Sequence, residues 1–276
     1  MIHGIVLAVE HSSWITALGT ALLHLLWQAA VIALLVALAQ PTLKRASSTL
    51  RYAVALFGLA LVPVAFALTL LMAHARSALA LAWLPQALAR LPEFLPWLVA
   101  VWAVGVLLFG LQALGGWCLL RRLRREVRPP AAWLAQQFTA LCRRAGMEAR
   151  AQLALSAETS TPCALGFWRP LVLLPVSALT TLAPDQLEAI LAHELAHIRR
   201  CDYLINLFQR ALEVVFFYHP AVWWLSRQVA QEREHCCDDA AIALCGDRGV
   251  YAHALLALAA PQAPVLTVAA VGGSLP

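Results

Sequence analysis

The sequence has 276 residues, 62% of them hydrophobic and only 13% charged, with a formal net charge of +5. Water-soluble globular domains carry about 25% charged residues, so this balance excludes that class and points to a membrane protein. The arginines cluster beside apolar runs without a stripe of interleaved basic and aromatic residues, so direct nucleic-acid binding is not expected.

The opening residues, MIHGIVLAVEHSSW, have no basic run and no small-residue cleavage site, so no cleavable signal peptide is expected. Three apolar stretches follow, residues 14–39, 52–73 and 96–120. Each is long enough to cross a bilayer, for which roughly 20 helical residues suffice. His24 and Gln28, one turn apart in the first span, are polar at membrane depth; they pair with each other or with a neighbouring span, and no role is assigned to them.

Lys44, Arg45 and Arg51 follow the first span, Arg76 and Arg90 follow the second, and Arg121, Arg122, Arg124, Arg125 and Arg128 follow the third. The positive-inside rule then gives one topology: N-terminus outside, loop 40–51 inside, loop 74–95 outside, and everything after 121 in the cytosol. The spans form a transmembrane region over 1–128, and the ten tryptophans suit a chain that meets two headgroup layers.

From 129 the composition changes and a cytosolic domain, 129–276, begins. AAWLAQQFTALCRRAG predicts a helix that stops at Gly146, and residues 150–175 read as two strands around a turn-rich middle. Within the second strand, LVLLP reads as a short buried or edge strand, and as an edge RPLVLLP would accept an extended peptide by strand addition. A helix is predicted from Pro184 through DQLEAILAHELAHIRR, with apolar positions at 187, 190, 191, 195 and 198. Two more are predicted over about 202–217 and 220–245. The apolar stretch 203–225 is interrupted by Asn206, Gln209, Arg210 and Glu213, so it reads as buried in the domain or lying near the membrane surface rather than as a fourth span. Seven cysteines without any CxxC pair suggest reduced thiols, with Cys236 and Cys237 as small buried hydrophobes.

The HELAH segment carries the chemistry. His193 and His197 stand four residues apart, which on a helix puts both imidazoles on one face at the separation a tetrahedral zinc needs. Glu194, one residue on, can reach a metal-bound water without ligating the metal. The reading then needs a third ligand, and QEREHCCDDAA offers Glu232, Glu234, His235, Asp238 and Asp239. Glu234 and Asp238 share a helix face, which suits a ligating carboxylate with a second one behind it to orient a ligand histidine.

HELAHIRRCDYLINLFQ, FYHPAVWWLSRQ and QEREHCCDDAA, with the upstream STPCALGFWRPLVLLP and the three spans, resemble the Bla/Mec-type antirepressor membrane metallopeptidases across nearly the whole chain. A weaker likeness runs to the HtpX and CaaX-prenyl endopeptidases. The resemblance implies a mainly α membrane protein: three N-terminal transmembrane helices, then a cytosolic α+β gluzincin-like domain with a small sheet. It implies one Zn2+ held by His193, His197 and Glu234, with Glu194 as base and Asp238 as the supporting carboxylate. Asp202, about one turn beyond His197, is expected to brace an arginine or a ligand, with a plain helix-ending carboxylate as an equal alternative. His219 is expected either to approach the site and stabilise the oxyanion or to be a satisfied core histidine.

The implied function is a regulatory endopeptidase of the bacterial inner membrane that cleaves a cytosolic protein, such as a transcriptional repressor, or itself. A quality-control protease of HtpX type and a non-catalytic signalling scaffold are the alternatives, and a homodimer is left open. Sensor members of the family carry a fourth span and an extracellular penicillin-binding domain. Here the sequence stops at Pro276 with no SxxK motif, so the expectation is a truncated form or a protein that senses something other than β-lactams.

Overall fold

The computed structural model describes residues 13–75, 91–147 and 151–259. The expectations for the N-terminal residues, for the loop bearing Arg76 and Arg90, and for the C-terminal stretch after 259 fall outside these.

Three long helices come first: α1 (Ser13–Thr42), α2 (Ser48–Ala75) and α3 (Leu91–Arg125). Each is long and apolar enough to cross a membrane, with mean hydropathy of 2.3, 2.5 and 2.3 over its most apolar window. Only 6% of that window is buried in α3, so α3 stands at the margin of the bundle while α1 and α2 pack closely. Gln28 on α1 meets Thr69 on α2, its amide donating to Oγ1 at 2.9 Å, and His24 accepts from Trp27 of its own helix at 3.2 Å. Neither polar group is left unpaired in apolar surroundings, where that would be costly.

The second part comprises α4 (Ala132–Arg144), β1 (Gln152–Ser156), β2 (Cys163–Leu165), β3 (Leu171–Pro175), the short α5 (Ala178–Thr181), α6 (Pro184–Arg199), α7 (Asp202–Val215), α8 (Pro220–Cys245) and α9 (Arg248–Ala259). The fold is therefore mostly helical with a small mixed sheet. Three strands form where two were predicted, in the order β1-β3-β2, with β3 parallel to β1 and antiparallel to β2. β3, the LVLLP segment, is the central strand and buried throughout, which fits the buried alternative and corrects the edge. Its unbroken apolar run is what a strand covered on both faces needs. Its backbone is already paired on both sides and cannot take a peptide. The outer side of β1 is capped by Arg128, which exchanges two 2.8 Å hydrogen bonds with Leu155, so the open edge belongs to β2.

Among the described residues there are two large hydrophobic cores, and a small third one around Ala154, Leu171 and Leu173 on the opposite face of the sheet from the first. The first lies under the sheet, where Leu134 and Phe138 of α4, Val172 and Leu174 of β3, Ile190, Leu191 and Leu195 of α6 and Tyr251 and Ala254 of α9 converge. The second joins Leu25, Ala29, Ala55, Leu59 and Val62 of α1 and α2 to Leu212, Phe216, Val222, Leu225 and Val229 of α7 and α8. The α7–α8 hairpin is thus set into the three-helix bundle. At its tip His219 Nε2 meets the Leu25 and Leu26 carbonyls at 3.2 Å, and Trp102 Nε1 donates to the Val215 carbonyl at 2.8 Å. A β-carbon at Gly105 would lie 2.0 Å from Phe217, so only glycine lets α3 approach the tip so closely.

Inside the hairpin the polar residues that interrupt its hydrophobicity satisfy one another. Gln209 Nε2 donates to the Ser226 carbonyl at 2.8 Å and to Ser226 Oγ at 2.9 Å. Ser226 Oγ donates to Glu213, and Arg210 donates to Glu213 at 2.7 Å.

Candidate metal centre

Pro184 opens α6 at a position where its missing N–H costs nothing, and Gln186 reaches back to the Ala183 amide at 3.1 Å. The helix then buries Leu187, Ile190, Leu191 and Leu195 and turns His193 and His197 toward a cleft of about 1100 Å³. α8 crosses behind and presents Glu234 to the same cleft.

Three donor atoms converge there. His193 Nε2 and His197 Nε2 are 3.1 Å apart, and Glu234 Oε2 lies 3.5 Å from the first and 3.4 Å from the second. Ligand bonds of about 2.0–2.2 Å at the tetrahedral angle put donor atoms roughly 3.3–3.6 Å from one another, so the triangle fits a divalent ion. The far side of each ring is also occupied. His193 Nδ1 faces Tyr251 Oη at 2.8 Å and Asp238 Oδ1 at 3.2 Å, and the Tyr251 hydroxyl donates to Asp238 at 2.6 Å. His197 Nδ1 faces Asp202 Oδ2 at 2.8 Å and Cys237 Sγ at 3.3 Å. With each Nδ1–H given to those partners, both Nε2 lone pairs point at a carboxylate oxygen. Three acceptors so close repel one another unless a cation lies between them.

The electrostatics follow. Burial opposes charging His193, but Asp238 and Glu234 beside it outweigh that and raise its pKa from 6.5 to about 9. For His197 burial is again outweighed, here by Asp202, Cys237 and Glu234, and the pKa rises to about 12. Burial alone would raise Glu234, yet the two imidazoles hold its carboxyl far below the usual range. Glu194 is 7% exposed, and burial pushes its pKa up against the pull of His197 and His193; the Ala164 amide of β2 donates to it. A carboxyl with a raised pKa beside a metal triangle is suited to moving protons.

Asp202 does not continue α6. Cys201 takes a left-handed conformation at φ 59°, which stops that helix, and Asp202 opens α7, bent back so that its carboxylate meets His197. It also pairs with Arg200 at 3.8 Å, so it touches both an arginine and a candidate ligand. Of the other candidates, Glu232 turns away to Arg51 at 2.8 Å, and His235 and Asp239 face solvent.

His219 is not brought to the cleft. It caps α8, its Nδ1 accepting from Ala221 at 3.1 Å, and its other nitrogen is committed to α1 at the buried tip of the hairpin. Both ring nitrogens are thus engaged at the hairpin tip and His219 does not line the cleft, which leaves it a buried, hydrogen-bonded histidine and corrects the expectation that it approaches the site.

Cys237, read from the sequence as a small buried hydrophobe, is buried, yet its Sγ also lies 3.3 Å from His197 Nδ1, a contact that its i, i+3 spacing from Glu234 could have signalled. One residue escaped the sequence reading. Tyr251 lies 58 residues from His193 on another helix, with nothing in its local sequence to mark it.

A family model described as BlaR1 peptidase M56 matches residues 5–273. The chain belongs to that family. Among curated proteins it is 36% identical over 90 residues to the Regulatory protein BlaR1 of Bacillus licheniformis, a match covering 33% of this chain and 15% of that one. It is 23% identical over 86 residues to the Methicillin resistance mecR1 protein of Staphylococcus aureus and to that of Staphylococcus epidermidis, covering 31% of this chain and 15% of each. The aligned part is thus a small share of the relatives' length. Family membership makes the chain a metallopeptidase relative with a membrane location, in keeping with its three apolar helices.

Proposed function

We propose that the chain is an integral membrane zinc metalloendopeptidase of gluzincin type, with His193, His197 and Glu234 as the metal ligands and Glu194 as general base. The observation that carries this reading is the donor triangle with edges of 3.1–3.5 Å, backed by a buried carboxyl in the same cleft. A bound zinc ion supplies a Lewis acid that polarises the scissile carbonyl and lowers the pKa of water to about 7. Glu194 then takes the proton of the attacking water and returns it to the leaving amine. Asp238, through Tyr251 as well as directly, and Asp202 hold the two imidazoles in the ligating tautomer. The open edge of β2, whose Ala164 amide touches Glu194, aligns the substrate backbone in place of β3.

The substrate is a cytosolic protein such as a repressor, or the chain itself, and the role is regulatory. The designation of one relative as a regulatory protein supports this. Orientation follows from charge: the basic α1–α2 connector and the arginine-rich end of α3 both lie on the cleft side, since Arg51 meets Glu232 and Arg124 meets the Arg169 carbonyl. That side is the cytosol by the positive-inside rule.

The reading is tested by expressing the wild-type chain and Glu194→Gln and comparing cut proteins by mass spectrometry. Cleavage products are expected only with the wild type, at equal zinc content. Cleavage by the variant, or none by either, would overturn it.

A further inference from the structure

The depth of the cleft can be read from the way α7 runs beside α3. Val214 lies against Gly110, its nearest atom 4.0 Å from where a β-carbon would stand, and Tyr203 and Asn206 share the cleft lining with Leu120. Ten residues of α3 and eight to eleven of α7 separate these two levels, about 15 Å at 1.5 Å per residue on either helix. The first turn of α7 is therefore level with the point where α3 changes from apolar residues to Arg121, Arg122, Arg124 and Arg125. Asp202, which begins that turn, touches His197 at 2.8 Å. The donor triangle is thus level with the change from apolar to basic residues along α3.

The rim of the cleft carries exposed apolar side chains among its arginines. Trp168, at the tip of the β2–β3 loop, is 91% exposed, the largest value among the exposed large hydrophobic side chains, and Phe167 beside it is also exposed. The loop is moored to the basic end of α3 by Arg124, whose guanidinium donates to the Arg169 carbonyl and fills the space beside Gly166. Leu120 on α3, which lines the same cleft, exposes further apolar surface. One turn before Arg121, Trp117 stacks under that arginine at 3.4 Å, the pairing of aromatic body and cationic head that a headgroup layer favours.

We propose that the Phe167–Trp168 tip docks into the headgroup layer of the bilayer, so that the cleft opens along the membrane surface. Tryptophan is the side chain that prefers this layer, and the arginines around it suit anionic headgroups. The docking stands on depth and exposure alone. Its consequence for substrate rests on the proteolytic reading: the cleft takes polypeptide that lies on, or has just emerged from, the inner membrane surface.

The test uses the full chain in vesicles of phosphatidylcholine and phosphatidylglycerol, the phosphatidylcholine brominated near the headgroup end of its acyl chains. The ten tryptophans make a difference measurement necessary, wild type minus Trp168→Phe. That difference fluorescence should be quenched by the brominated lipid and shielded from aqueous iodide. Quenching by iodide with no effect of bromine would overturn the proposal. In a second arm, Trp168→Ala should lower the rate of cutting a bilayer-tethered peptide, relative to a soluble peptide of the same sequence, about tenfold, from the loss of one aromatic anchor's apolar burial. Equal slowing of both peptides would assign Trp168 to substrate contact instead and overturn the docking. A wild type that cuts neither peptide would remove the protease reading and leave the fluorescence result to decide the docking.

Discussion

Asp202 shows how much one backbone angle contributes to the site. Without the left-handed turn at Cys201 the carboxylate would continue along α6, away from His197; with it, His197 is held from one side by Asp202 and Cys237 while its Nε2 points into the triangle. Asp202→Asn keeps the shape and removes the charge, so metal affinity should fall about 10–100-fold, measured by competition with a chelating dye. Glu234→Ala removes a ligand outright and should leave the purified protein with little zinc by atomic absorption. Unchanged occupancy would show that another group completes the coordination.

These residue-level features were legible in unequal measure. His193, Glu194 and His197 follow from helical periodicity, and Glu234 with Asp238 follows from an i, i+4 spacing, because a helix fixes which side chains share a face. Tyr251 was hidden because its partner is far away in sequence, and His219 was ambiguous because a histidine before a helix serves equally as cap or catalyst. LVLLP was ambiguous for a physical reason: an apolar strand is compatible with any position in a sheet, and only its pairing partners decide between centre and edge.

At the level of elements, Asn206, Gln209, Arg210 and Glu213 pointed away from a fourth span and toward burial in the domain or a place near the membrane surface, but not to how they would be satisfied: in the hairpin Gln209, Ser226, Glu213 and Arg210 pair with one another. Arg233 joins this set by donating to Gln209 at 3.0 Å and approaches the Glu234 carboxylate at 3.5 Å. Gln209→Leu should therefore cost roughly 1–3 kcal/mol through the unsatisfied groups left behind, read from denaturant unfolding in detergent. Metal affinity should weaken with it, although Gln209 lies outside the cleft lining. An unaltered affinity would show that the hairpin and the metal site are energetically separate.

For the whole molecule, the histidine shifts set a pH profile for the chelator-stripped chain. His193 and His197 have folded pKa values raised above 6.5, so their contribution is fully present below about pH 6.5 and drains away as pH climbs through about 9, the value for His193. Glu234 is depressed, so its contribution is present above its ordinary 4.5 and is lost as pH falls below it. The unfolding midpoint of the stripped chain should be highest between about pH 5 and 6.5 and should decline toward pH 9. With zinc added the trend should reverse over that interval, because the metal displaces the same protons. A flat profile without metal would contradict the arrangement of charges around the two imidazoles.

The shared core of α1, α2, α7 and α8 also governs what can be purified. A fragment starting at residue 129 would carry all three side chains of the donor triangle, yet it would present Leu212, Phe216, Val222, Leu225 and Val229 to water without α1 and α2 to cover them. Such a piece should aggregate on expression, as gel filtration would reveal, whereas the intact polypeptide in micelles should run as a discrete species. The half that carries the donor triangle should not hold its shape alone, and a soluble version of it would need its hairpin surface redesigned.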